Sequence, residues 1–203
     1  MDDEKIKILK FSQQKFFSEG FYKITLDEIT KDLHISKKTI YKHFDSKEQL
    51  LREATFNYIT EAGEKITEIV ESETTALQKF VLLIETLASV LSKFQSKWIS
   101  DMQHYAKDLW DEVDKFRTQK LSANLSKLIE QGVAEGIFKR RSVPIVLQIF
   151  ISSIRGVINP EFIMNNNFAI HTAIQETINI LIDSMLTDKG HKVYLKIKRG
   201  VKK

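Results

Sequence analysis

No cysteine occurs in this chain of 203 residues, which removes disulfides, thiolate metal sites and cysteine nucleophiles together and is compatible with a reducing cytosol. Glycine and proline are scarce too, at seven and two. With so few residues that force turns, and with Leu, Ile, Lys and Glu abundant, the composition predicts an all-α fold over a turn-rich β architecture. Also missing is any uninterrupted apolar run near the ~18 residues that a membrane span needs. The opening Met1-Asp2-Asp3-Glu4 is acidic where an export signal is basic. A cytoplasmic location without a membrane partner is the expectation. Nothing resembles a phosphate-binding loop, a nucleophile elbow or a zinc-protease motif, so no catalytic residue, metal or cofactor is expected. What is there is 42% hydrophobic residues, enough for a sizeable core.

A formal charge of +4 invites a nucleic-acid reading, but distribution matters more than the sum. From Asp188 to Lys203 seven Lys or Arg stand against one Asp, leaving 24 basic and 26 acidic groups for all the rest. Local placement has to carry the argument.

The hydrophobic periodicity divides the chain into helices. The first is expected from Asp3 to Ser18, with Ile6, Leu9, Phe16 and Phe17 inward, its acidic start complementing the helix dipole. Thr25-Leu26-Asp27-Glu28 is a capping box that opens a second helix with Leu26, Ile29 and Leu33 on one stripe. After a break at His34, Ser36 caps a short third helix to about His43. Ser46-Lys47-Glu48-Gln49 starts a long fourth helix. Further helices are expected from Thr74 or Thr75, over Ser96 to Tyr105, from about Leu109 to Gln131, from Pro144 until Pro160 stops it after Ile158, and from Phe168 to Leu186.

Two short helices joined by a tight turn, each with one narrow buried stripe, form the smallest unit that can push a helix into the DNA major groove. Here the outward residues of the second such helix are Lys37, Lys38, Thr39, Tyr41, Lys42 and His43, a set suited to phosphates and base edges. Lys37 and Lys38, and Lys47 on the next helix, occupy first turns where a cation opposes the helix dipole. A shared anion such as DNA phosphate would reverse the sign; solvated lysines tolerating a screened penalty are the alternative.

Taken in order, Ile8-Leu9, Phe16, Gly20-Phe21, Thr25, Ile29, Ile35-Ser36, Thr39-Ile40-Tyr41, Phe44 and Ser46-Lys47-Glu48-Gln49-Leu50 resemble the DNA-binding domain of the TetR (tetracycline-repressor) family. The resemblance covers residues 6 to 51. It implies a DNA-binding domain over 1–51 and a helical ligand-binding and dimerisation domain over 52–187, which leaves the basic segment 188–203 as a tail. It further implies that Thr39, Tyr41, His43 and Lys47 contact the DNA backbone, with Thr25, Lys37, Lys38 and Lys42 completing the interface. His34 stands where the family has Gly, a turn position favouring positive φ, and His tolerates it better than a β-branched residue. Lys38 replaces another frequent Gly, Thr30 a frequent Ala and Ser12 a small Ala.

Two later helices are rich in apolar residues: Ile149, Ile154, Val157 and Ile158 mark one, and Ile174, Ile178, Leu181 and Met185 a stripe on the other. Such helices need cover on several sides. The TetR resemblance implies a four-helix dimer bundle built from them, so a homodimer is expected, with a monomer core as the alternative. Phe94, Trp98, Met102, Tyr105, Trp110 and Phe116 concentrate bulky groups where the family lines a small-molecule effector pocket; ordinary core packing is the alternative.

The resulting expectation is a ligand-responsive regulator, by family habit a repressor, that binds a near-palindromic double-stranded operator. Two other classes compete with it. Asp101, His104 and Asp108 fall at i, i+3, i+7 and could form a metal or acid-base site on one helical face. A nonspecific architectural DNA protein is the other, which the near-neutral body disfavours. For residues 188–203 a flexible solvated extension is expected, with a short packed strand or an extra DNA-backbone contact as alternatives.

Overall fold

A computed structural model of the chain describes residues 2–157 and 159–200. Met1, Ile158 and residues 201–203 lie outside the described residues, as do the side chains of Pro160, Met164, Ile170, His171 and residues 198–200. The described chain is all helical: α1 (Asp3–Glu19), α2 (Leu26–Leu33), α3 (Lys37–His43), α4 (Lys47–Glu71), α5 (Ala76–Leu91), α6 (Ser96–Tyr105), α7 (Lys107–Ala134), α8 (Val143–Val157), α9 (Pro160–Asn166), α10 (Ile170–Met185) and α11 (Asp188–Gly200). Pro160, expected to stop the helix before it, opens α9, since its fixed φ suits a first helical position. No described helix is long and apolar enough to cross a membrane.

The chain forms two compact units. Residues Met1–Ala62 and Lys93–Phe116 make the first, and Gly63–Ser92 with Arg117–Lys203 the second. In the first, α2 packs on α1 and α3, and α6 lies on α1. Its core combines Ile8, Leu9, Phe16, Ile29, Ile40, Phe44 and Leu50 with Phe94, Trp98 and Met102, all buried. Phe17 meets Tyr58, Phe94 and Trp98 edge-on at centroid distances of 5.2, 4.7 and 5.2 Å, geometries that add to plain area burial.

The second unit is built around Leu77, Phe80, Leu83, Leu128, Ile129 and Ile182, with α10 packed on α5 and α8. Ile174, Ile178, Leu181 and Met185 belong to this core. These four, expected at a partner chain, are buried within the chain itself, on the helix that packs on α5 and α8. Ile154 and Val157 are half-buried. Among the described residues, the large apolar side chains facing outward on these helices are Ile145, Ile149 and Ile180, the last two residues 50% and 68% exposed.

Residues 188–200 are not a flexible extension. They form α11, which packs on α5. Gly190, Val193, Tyr194 and Ile197 recur at helical spacing, and Tyr194 is buried with its hydroxyl donating to Asn179 Oδ1 at 2.9 Å. Gly190 permits the close approach, because a Cβ there would lie 2.4 Å from the Ile137 carbonyl oxygen. Lys189 Nζ donates to Glu135 O at 2.8 Å. Leu195, which an alternating strand would bury with Val193, is exposed.

Candidate nucleic-acid interface

The helix pair α2–α3 is shaped by local hydrogen bonds that the sequence encodes. Thr25 Oγ1 accepts the Glu28 N–H at 3.2 Å while Glu28 Oε2 accepts the Thr25 N–H at 2.8 Å, closing the capping box. His34 ends α2 at φ 54°, ψ 43°, and its N–H bonds back to Lys31 O at 3.2 Å. The left-handed turn is thus made by the histidine standing in a glycine position, the conformation expected for it. Ser36 Oγ then accepts the Thr39 N–H at 3.1 Å and fixes the start of α3.

So anchored, α3 commits only Ile40 to the core, with Phe44 buried just beyond its end. Lys37, Lys38, Tyr41 and Lys42 are exposed, Tyr41 by 53%, and Thr39 and His43 are partly so. Thr25 is exposed at the start of α2. One short helix therefore presents hydroxyl, phenol and ammonium groups from a single rigid support, groups that phosphate and base-edge recognition uses.

Several of these cations are already engaged. Lys37 Nζ lies 2.8 Å from Asp27 Oδ1, and that carboxylate holds the ammonium above its ordinary range. Lys42 Nζ is 3.4 Å from Glu4 Oε2 and 3.8 Å from Asp2 Oδ2. His43 Nε2 is 2.9 Å from the same Glu4 oxygen and 3.8 Å from the same Asp2 oxygen. Hydrogen bonds from His43 and Lys42 keep the Glu4 carboxyl below the usual range. Lys47, on α4, donates to Tyr22 O at 3.3 Å, and partial burial pushes its ammonium downward. Lys38 makes no ion pair among the described residues. Asp2, Glu4 and His43 also bring ligand atoms within 4.8 Å of one another, a cation-attracting group beside which the Lys42 ammonium sits.

Asp101 supports this surface from α6. Its carboxylate is buried and accepts the N–H groups of Phe21 and Tyr22 at 2.8 and 2.9 Å, pinning the turn between α1 and α2. The alternative Asp101/His104/Asp108 site does not form. The backbone breaks at Ala106, so Asp108 belongs to α7, and exposed His104 bonds through Nδ1 to Ser100 O at 2.7 Å. The regular i, i+7 geometry that would join the three is lost at that break.

The six bulky residues expected around an effector all belong to the first unit and differ in exposure. Phe94, Trp98 and Met102 are core, while Tyr105 is exposed and stacks on Tyr22 at 3.7 Å. Phe116 meets Phe56 at 6.0 Å, and Trp110 is half-buried. Sequence reasoning missed the roles of Asp2, Glu4, Asp27 and Asp101. The first three read only as acids that complement helix starts, and nothing local announced their cationic partners.

Comparison with known proteins agrees with this geometry. Residues 8–54 match the family model of the bacterial regulatory proteins of the tetR family. The chain is similar to the HTH-type transcriptional regulator YvaF of Bacillus subtilis (strain 168), 22% identical over 178 residues, 87% of this chain and 90% of that one. It is also similar to YerO of the same organism, 39% identical over 71 residues, which cover 35% of this chain and 25% of that one. In fold it resembles a TetR-family regulator from Agrobacterium tumefaciens, with a TM-score of 0.70 and 16% identity over 91% of this chain and 98% of the other.

Proposed function

Because this chain is a transcriptional regulator of the tetR family with a DNA-binding helix-turn-helix, we propose that it binds a near-palindromic operator as a homodimer, represses from it, and is released by a small-molecule effector. The observation that carries the DNA reading is the outward face of α3, where Lys38, Tyr41 and Lys42 stand exposed on a helix fixed by the Ser36 cap. Thr39, Tyr41, His43 and Lys47 take phosphates, Thr25 adds a hydroxyl at the edge, and Lys37 and Lys38 reach towards bases. Residues 1–51 carry this activity and 52–187 carry effector response and pairing.

Two copies of α3 read one site only if held about one DNA turn apart, ~34–36 Å. The outward Ile145, Ile149 and Ile180 supply an apolar surface for that pairing. The effector acts by preferring a form of the second unit that no longer holds two heads at that spacing, so DNA affinity falls by the effector's differential affinity for the two forms. The protein works in the cytoplasm, where operator DNA is. Selection of genomic fragments by the purified protein, with its mass in solution measured alongside, tests this reading. Enrichment of inverted-repeat sites by a dimer is expected; a monomer that enriches nothing overturns it.

A further inference from the structure

Resting on the DNA contacts assigned above to Lys42 and His43, we propose that Asp2 and Glu4 are internal stand-ins for DNA phosphate that set affinity and restrain nonspecific binding. In the free protein, one Glu4 oxygen lies 2.9 Å from His43 Nε2 and 3.4 Å from Lys42 Nζ. The Asp2 oxygen lies 3.8 Å from both. Asp2 is not free to wander, since its other oxygen caps α1 by accepting the Glu4 N–H at 3.1 Å. The His43 side chain is only 7% exposed beneath these acids. Lys37 repeats the pattern with Asp27. A carboxylate thus stands where the Lys42 ammonium and the His43 imidazole would otherwise meet a phosphate, and another where Lys37 would meet DNA.

The placement is cheap to keep and cheap to break. Acids at the start of α1 and bases at the end of α3 both suit their helix dipoles. Exposed ion pairs contribute little to stability, so a polyanion can exchange with them. A random duplex, meeting the surface without base contacts, gains only phosphate pairs and must displace two carboxylates to obtain them. An operator adds contacts from the rest of α3 and tolerates the exchange. Asp2 and Glu4 therefore lower affinity for all DNA and leave a larger share of binding to sequence-dependent contacts.

Glu4→Gln and the double variant Asp2→Asn/Glu4→Gln test this by fluorescence anisotropy on the duplex selected by the parent protein and on an unrelated duplex. The imidazole resonances of His43 are recorded without DNA. Expected are shifted His43 resonances, binding about two- to tenfold tighter to both duplexes, and a log K against log salt slope steeper by up to about one per carboxylate removed. Lys42→Ala then weakens binding more in the Glu4→Gln background than in the parent. If the parent binds its duplex but both variants bind equally or more weakly, the carboxylates only orient their partners and the inference is overturned. A parent that binds no duplex overturns the DNA-binding reading instead, while the His43 resonances still report whether the contact exists.

Discussion

The buried carboxylate of Asp101 accepts the backbone N–H of Tyr22 at 2.9 Å, and the carbonyl of that same Tyr22 accepts Lys47 Nζ at 3.3 Å. One residue of the α1–α2 turn therefore joins α6 to a lysine assigned to DNA phosphate. Asp101→Ala leaves two inward N–H groups without their charged acceptor and is expected to cost about 2–4 kcal/mol in urea unfolding. Asp101→Asn, which keeps one acceptor oxygen, costs less. A loss below about 0.5 kcal/mol for Asp101→Ala contradicts the anchoring role.

Gly20 sits beside that anchor at φ +78°, where a Cβ would lie 2.6 Å from Asp101 Oδ2 and 2.9 Å from Lys97 Cγ. Gly20→Ala is expected to destabilise by about 1–3 kcal/mol, through backbone strain and the clash together. Gly63, inside α4, faces open space, with nothing within 4 Å of where a Cβ would lie. There the change to Ala is expected to stabilise by about 0.5–1 kcal/mol, through helix propensity and unfolded-state entropy. Thermal unfolding of the two variants should move in opposite directions.

Tyr58, half-buried against Phe17 and Phe94, has its phenol pushed up to about 12 by burial, with the Glu61 charge adding to it. Its folded value lies above the unfolded one near 10, so its contribution is complete below about pH 10 and is lost as pH rises through about 12. The two-unit difference corresponds to about 2.7 kcal/mol; discounted for the part of the side chain that water screens, on the order of 1 kcal/mol is expected. Tyr58→Phe should remove that part of the alkaline stability loss. An unchanged pH profile in the variant contradicts it.

On the apolar helices, the proposed pairing and the fold rest on different residues. Ile149 and Ile180 face outward whereas Ile178 is buried. Ile149→Glu and Ile180→Glu are expected to give folded monomers by light scattering, with circular dichroism like the parent's. Ile178→Glu, which puts a charge into the core, is expected to lose the fold itself. Dimers that survive both surface changes place the interface elsewhere.

Most of the fold was legible because helix starts are written locally. Thr25 caps as its box predicts, Thr75 is one of the two starts expected for α5, Ser36 caps α3, and His34 takes the left-handed turn. What escaped was decided at long range. The apolar stripe of α10 announces burial but not whether α5 of the same chain or a second copy provides it. Asp101 was grouped with His104 and Asp108 because periodicity sees neighbours on one helix, whereas its partners lie 79 and 80 positions away. Pro160 read as a stop because nothing in a single proline distinguishes the end of one helix from the start of another. The α11 segment looked like tail because its few inward residues are outnumbered by lysines, and their helical spacing shows only against the α5 surface they cover.

The central claim, that α3 and the start of α4 form the DNA-binding surface, is tested most directly by titrating the duplex enriched by the parent with the parent protein, Tyr41→Ala and Lys47→Ala at low salt. The account predicts that the parent binds at two chains per duplex and that each substitution weakens binding about five- to a hundredfold, equivalent to ~1–3 kcal/mol. It also predicts that thermal unfolding of the Tyr41 variant stays at the parent value, since that side chain is 53% exposed. Variants that bind as the parent does would contradict it.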